Sequence, residues 1–173
     1  MLKGFSNSVW KVTRLIAITK QNSFEENYYR HCPILDSKKS LVALYRSSSF
    51  LLWTIAIISS WRHPELSRLY DTIVPEYREL LGRTLAGPIL ELETLQGLIL
   101  LCFWPLCVRR QTEDPSWNYC GLITNSALKM GLHRITFDRE KGQTSAASLL
   151  GKTGAKTWMA CLRLNSTWVS SIP

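Results

Sequence analysis

The stretch from Ser48 to Arg62, SSFLLWTIAIISSWR, decides the fold. Phe50, Leu51, Trp53, Ile55, Ile57 and Ile58 leave almost no polar stripe, and a helix that is apolar on nearly all sides is one buried within a bundle. A short apolar run is also compatible with a buried strand. This run reaches Trp61 without Gly or Pro, longer than most strands, so a helix is predicted over 48–62. A second such segment, Glu93 to Cys107, carries Leu98-Ile99-Leu100-Leu101. Thr94 is its predicted N-cap, with Glu91 and Glu93 at the positive end of the helix dipole. Pro105 should terminate or kink it. Gln96 is its one polar side chain before the apolar run, and a hydrogen bond to neighbouring backbone is the expected role.

Around these two segments the chain reads as five or six helices, an all-α, bundle-like domain. A loose helix is predicted from Ser8 to Lys20, then Asn22 to Arg30 with Phe24, Tyr28 and Tyr29. Residues 31–35, His-Cys-Pro-Ile-Leu, read as extended because proline disfavours helix before it. Pro64-Glu65 should open an amphipathic helix with Leu66, Leu69, Tyr70, Ile73, Val74, Tyr77, Leu80 and Leu81 inward and Arg68, Glu76, Arg78 and Glu79 outward. Pro75 should kink or split it, and Gly87-Pro88 should end it. Asp114-Pro115-Ser116-Trp117 is a helix start, with Asp capping and Pro in the first position. Tyr119, Leu122, Ile123, Ala127, Leu128 and Met130 form the predicted inner face, closed by Gly131 and Leu132 in a Schellman ending. Asp138 to Lys152 is the nearest thing to a linker. A last helix is predicted over about 155–168, with Trp158, Met159, Leu162 and Leu164 in the core.

Composition bounds the function. The 173 residues are 46% hydrophobic and 20% charged, the profile of one globular domain. Nine Gly and seven Pro are too few for a turn-rich all-β chain. The net charge is +8, but the only adjacent basic pairs are Lys38-Lys39 and Arg109-Arg110, so the charge reads as a solvated surface and not as a basic arm. The cysteines, Cys32, Cys102, Cys107, Cys120 and Cys161, are odd in number and include no Cys-x-x-Cys, which argues against a disulfide framework or a zinc site built from local pairs. Cys102, Cys107, Cys120 and Cys161 lie among apolar residues and read as small hydrophobes in a reducing compartment. Lys11 and Arg14 interrupt the first apolar stretch, which is unlike a signal peptide. The longest apolar runs, Phe50–Ile58 and Gly97–Cys107, fall short of the ~20 residues that span a bilayer, so no membrane partner is expected.

Catalysis needs several titratable groups brought together. His31, His63 and His133 are isolated, and no nucleophile elbow, phosphate-binding glycine loop, dinucleotide fingerprint or His-Glu-x-x-His occurs. A Cys120–His133 pair would be a nucleophile arrangement, but the apolar neighbours of Cys120 weigh against it. His133 and Arg134 are expected to face the carbonyls at the preceding helix end. Trp53, Trp104, Trp117 and Trp158 sit at core spacing, and packing is their default role. The sequence therefore points to no enzyme, no catalytic residue, no cofactor-binding residue and no metal ligand.

Taken in order, Ser48–Ala56, Thr94-x-Gln96 running into Leu106, Ser116-Trp117 running to Gly131-Leu132-His133-Arg134, and Lys156-Thr157-Trp158-Met159-Ala160-Cys161 resemble the middle homology region of fungal zinc-cluster transcription factors, the fungal-specific transcription factor domain. The resemblance covers roughly residues 28–173. It implies an all-helical regulatory domain, 47–173, behind an N-terminal helical or irregular lead-in, 1–46. It also implies a nuclear location and a role in RNA polymerase II transcription. The family's DNA reader is a six-cysteine zinc cluster that this sequence does not match. Zinc and sequence-selective DNA contact are thus expected only from that cluster in a parent protein. The family domain continues past the position of Pro173, so the chain is expected to be incomplete at its C-terminus. Its expected partners are proteins, its own missing domains, or a small effector. A helical protein-interaction module, or a fragment without independent activity, is the alternative.

Overall fold

The computed structural model describes residues 31–35, 41–61, 67–108, 110–134 and 148–169. The helices predicted over 8–20 and 22–30, the Pro64-Glu65 helix start and the first part of the 138–152 linker lie outside the described residues. Among the described residues there are six α-helices, one 3₁₀ turn and no strand, so the domain is all-α. The helices are α1 (Leu41–Ser47), α2 (Ser49–Trp61), α3 (Ser67–Ala86), α4 (Leu92–Phe103), α5 (Ser116–Lys129) and α6 (Ser148–Val169). They fall into two compact units, α1–α3 in the first and the 32–35 turn with α4–α6 in the second.

In the first unit, α2 is buried from Phe50 to Ser60, as its lack of a polar stripe predicts. Ser48 is its N-cap: the Leu51 N–H donates to Ser48 Oγ at 3.2 Å, satisfying one of the first-turn donors. Ser48 is also the one residue between α1 and α2, and α1 was not anticipated from the sequence. α3 packs on α2 through Tyr77, whose ring stacks on Phe50 at 6.1 Å and 11°. Its hydroxyl shares a 2.8 Å hydrogen bond with Thr54 Oγ1, and Thr54 also donates to the Phe50 carbonyl at 2.9 Å. Trp61 and Tyr70 meet in a tilted pair at 5.6 Å. Ile73, Tyr77 and Leu81 are buried, while Glu76, Arg78 and Glu79 are exposed.

Pro75 does not split α3, which runs unbroken from Ser67 to Ala86. The exposed proline lies on the far side from Ile73 and Tyr77, so the buried face on both sides of it packs as one stripe and outweighs the lost hydrogen bond. The helix stops at Gly87-Pro88 as predicted.

In the second unit, α4 is buried from Leu95 to Cys102. Its N-cap is Glu91, not Thr94; Thr94 Oγ1 instead donates to the Glu91 carboxylate at 3.4 Å. The helix ends at Phe103 because Trp104, which precedes Pro105, is pushed out of helical geometry (φ −131°, ψ 77°). Residues 31–35 form a turn and not an extended segment: the Ile34 N–H donates to the Cys32 carbonyl at 2.9 Å across Pro33. Proline excludes helix before it, and a tight turn meets that condition as well as a strand does.

α5 begins at Ser116 with Pro115 at its N-cap, one residue later than predicted. Asp114 Oδ1 accepts from the Ser116 N–H at 2.9 Å and from Ser116 Oγ at 2.6 Å. It ends at Gly131 with φ +73°, the left-handed conformation that favours glycine. The Gly131 N–H donates to Leu128 O, and Leu132 is buried. α6 starts earlier than predicted, at Ser148, and takes in Gly151 and Gly154. A glycine costs a helix about 1 kcal/mol relative to Ala, and packing of α6 on α4 and α5 overrides that cost.

Candidate functional site

The features that set the second unit apart are polar and sulfur-bearing groups between its helices. Gln96, buried in α4, donates from Nε2 to the Ile34 carbonyl at 3.0 Å and to Thr157 Oγ1 of α6 at 3.1 Å. The Thr157 hydroxyl in turn donates to the Thr153 carbonyl at 2.8 Å. Gln96 therefore does meet backbone, but sixty-two residues away in sequence and not beside it. One amide holds the 32–35 turn, α4 and α6 together, and a buried amide left without such partners is costly.

A second cross-link joins α5 to α6. Asn165 Nδ2 donates to Thr124 Oγ1 and to the Cys161 carbonyl, both at 2.9 Å, and Asn165 Oδ1 accepts from Cys120 Sγ at 3.5 Å. Cys102 Sγ reaches the Ser116 carbonyl at 3.7 Å. Burial pushes the Cys161 thiol up to about 12, with Cys120 adding to the shift. Burial likewise pushes Cys32 up to about 12, against the lowering effect of Arg163. Cys102 and Cys120 are raised by burial too. These thiols hold their protons, which makes them poor nucleophiles. Cys107 differs from the sequence expectation, being exposed, because Pro105 has already ended the helix that would have buried it.

The Cys120–His133 pair is not assembled. Cys120 sits in the second turn of α5 against Asn165. His133 follows the far end of that helix and packs its ring on Trp158 at 6.0 Å. The five cysteines are free thiols. Four of the five are buried singly, on the 32–35 turn, α4, α5 and α6, and no group of three His, Cys, Asp or Glu among the described residues is arranged for a metal ion. No described helix is long and apolar enough to cross a membrane.

The inner faces of α5 and α6 are rotated from those predicted. α5 buries Ser116, Cys120, Ile123, Ser126 and Ala127, leaving Trp117 51% and Leu128 44% exposed. α6 buries Gly154, Thr157, Ala160, Cys161 and Leu164. Of the predicted core set only Leu164 is buried; Trp158 is half-buried, Met159 is 58% exposed and Leu162 45%. Trp53 is in the core and Trp104 is half-buried. Small residues form the contact stripes, so helix backbones can approach closely, and a search by size picks the wrong face.

The motif residues thus meet each other. Gln96 of the Thr-x-Gln element bonds Thr157 of the Lys-Thr-Trp element, and His133 of the Gly-Leu-His-Arg element packs on Trp158 of the same stretch. The profile of the fungal specific transcription factor domain matches residues 10–171. The chain belongs to that family. It is a helical regulatory domain of the fungal transcription factor type. It is similar to SEF1 of Kluyveromyces lactis (29% identical, over 94% of this chain and 14% of that protein). It is also similar to regulatory protein LEU3 of Saccharomyces cerevisiae (26%, over 86% and 18%) and to transcriptional regulatory protein SEF1 of Candida albicans (27%, over 86% and 16%). The chain spans less than a fifth of the length of these relatives. No solved structure matches it.

Proposed function

We propose that this fungal transcription factor domain works in the nucleus as a regulatory, non-catalytic and non-DNA-reading module of RNA polymerase II transcription. Its role is to couple the state of the helical domain to the output of a zinc-cluster activator. The observation that carries the reading is the use made of the family motif residues. Gln96 pairs with Thr157 and His133 with Trp158, and both contacts join separate elements of the second unit. A set of residues spent on interhelical contact supports a scaffold whose packing is the functional variable, as in a domain that a partner or effector biases between states. Zinc and promoter selection belong, on this reading, to a separate cluster in a parent protein, and partners are proteins or a small effector.

A reporter measurement tests this. The chain is placed between a heterologous DNA-binding domain and a heterologous activation domain in yeast. Reporter output should fall relative to the same fusion with a neutral linker of equal length, and Gln96→Leu should restore it. Output unchanged by the chain would overturn the reading. A salt titration against duplex DNA should give weak, sequence-indifferent binding; tight selective binding would overturn it as well.

A further inference from the structure

We propose that the outward face of α6 is a docking surface for an acidic amphipathic helix of a partner protein. The inference stands on the composition and exposure of α6 and does not depend on the transcriptional reading above.

From Ser148 to Val169 the helix contains three charged residues, Lys152, Lys156 and Arg163, and no Asp or Glu. All three are exposed. Spacings of four and seven residues put them on one side of a helix. Met159 lies on the same ridge, three residues after Lys156 and four before Arg163, and Leu162 flanks it. Met159 and Leu162 are 58% and 45% exposed, whereas Gly154, Thr157, Ala160, Cys161 and Leu164 bury the opposite face. The face is therefore a row of cations with two adjacent apolar side chains set into it.

This arrangement is unfavourable when left to water. Lys152 and Lys156 repel each other at i, i+4, where an acidic residue would have helped the helix. Two large apolar side chains stay hydrated at neighbouring positions. Arg163 is partly fixed, its guanidinium lying 5.7 Å from the centre of the Phe103 ring, so one of the cations is pre-positioned and costs less to immobilise on binding. A helix with carboxylates along one edge and apolar anchors at i, i+3 or i+4 matches both features at once. Met159 suits such a contact because its flexible thioether adapts to differing anchors. A nucleic-acid backbone would use the cations but leave Met159 and Leu162 with nothing to meet.

The test uses the full 173-residue chain and a fluorescein-labelled synthetic helical peptide with Glu along one edge and Leu and Phe at i, i+3 and i+7 spacing. Anisotropy should report saturable binding. Lys152→Glu with Lys156→Glu should weaken it about tenfold or more, and Met159→Ser with Leu162→Ser about fivefold to tenfold. The double reversal Arg83→Glu with Lys129→Glu, at exposed positions on other helices, changes net charge equally and should shift affinity less than about twofold. Circular dichroism melts check that each variant folds. If either α6 double variant does not, Lys156→Gln should weaken binding and Met159→Leu should keep it. Equal losses from both charge reversals would overturn the proposal. So would equal affinity for a peptide with every Glu replaced by Gln. Tighter binding, through the same α6 residues, to a DNA duplex or to phosphatidylserine vesicles would also overturn it, and would reassign the face to that ligand.

Discussion

The two units hold their helices together with different side chains. In the first, α2 and α3 meet through large rings, Phe50 stacked on Tyr77 and Trp61 tilted on Tyr70, with the Thr54–Tyr77 hydrogen bond as a local addition. In the second, α5 buries Ser116, Cys120 and Ala127 and α6 buries Gly154, Thr157, Ala160 and Cys161. Two side-chain amides, buried Gln96 and half-buried Asn165, cross the gaps. Large apolar rings gain area when buried and tolerate some freedom in how they meet. Small residues gain little area each, so contact depends on close backbone approach and on every polar group between the helices finding its partner. The first unit should therefore suffer most from lost volume, and the second from added volume or a lost hydrogen bond.

The largest expected effect is on volume. Leu51→Ala in α2 should destabilise by about 2–5 kcal/mol, the range for a fully buried leucine whose surroundings relax only in part. Leu51 is fully buried. Chemical denaturation read by circular dichroism checks this; a change below about 1 kcal/mol would mean that α2 has room to collapse, unlike a close-packed core. Two changes in the second unit come next, each about 1–3 kcal/mol. Ala127→Leu overpacks the buried face of α5, and Gln96→Leu keeps the volume but strips the Ile34 carbonyl of its donor. If Gln96→Leu proved neutral, or Ala127→Leu stabilising, the contrast between the units would not survive.

That contrast also decides what could be read from sequence. α2 and α4 were legible because apolar residues on all sides leave no face to choose. The start of α5 at Asp114-Pro115 and its end at Gly131 were legible because capping chemistry is local. The inner faces of α5 and α6 were not. Met159 and Leu162 outrank Gly154, Thr157 and Ala160 on any hydrophobicity scale, yet the small residues are the ones buried. The stripe from Thr157 through Ala160 and Cys161 to Leu164 is helical in spacing and could have been found by looking for small residues at i, i+3, i+4 and i+7. The role of Gln96 was half-legible. Its burial follows from its neighbours, but its partner Ile34 comes from a turn that only the fold brings close. Nothing local foretold that α3 would run through Pro75, because the packing that holds it lies on another helix.

A smaller effect separates the units by pH. In the unfolded chain the thiols ionise near 9, while Cys32 and Cys161 of the second unit keep their protons up to about 12. Below pH 9 both states are protonated and the thiols leave stability unchanged. Between pH 9 and 12 the unfolded chain releases protons that the folded one retains, so stability falls as pH rises, by at most about 1.4 kcal/mol per pH unit per thiol. Melting temperatures from pH 8 to 11 should drop less steeply in Cys161→Ala than in the parent chain. Equal slopes would mean that water reaches Cys161. At pH 8, a thiol reagent should modify exposed Cys107 first and the four buried thiols only on unfolding.

The smallest expected effect tests the rotated face of α6 directly. Met159→Ser and Leu162→Ser should each change stability by no more than about 0.5 kcal/mol, the usual range for exposed positions, because both side chains keep about half of their surface in water. Leu164→Ser, two residues beyond Leu162 on the same helix, removes a side chain that is 2% exposed and puts a hydroxyl in its place, so it should cost several times more. The ratio matters more than either value, since unfolded-state effects are similar for two leucines on one helix and largely cancel. Comparable losses at Leu162 and Leu164 would return α6 to the face that hydrophobicity alone selects. They would also remove the apolar half of the proposed docking surface. A large loss at Leu164 with none at Leu162 or Met159 leaves those two side chains available to a partner.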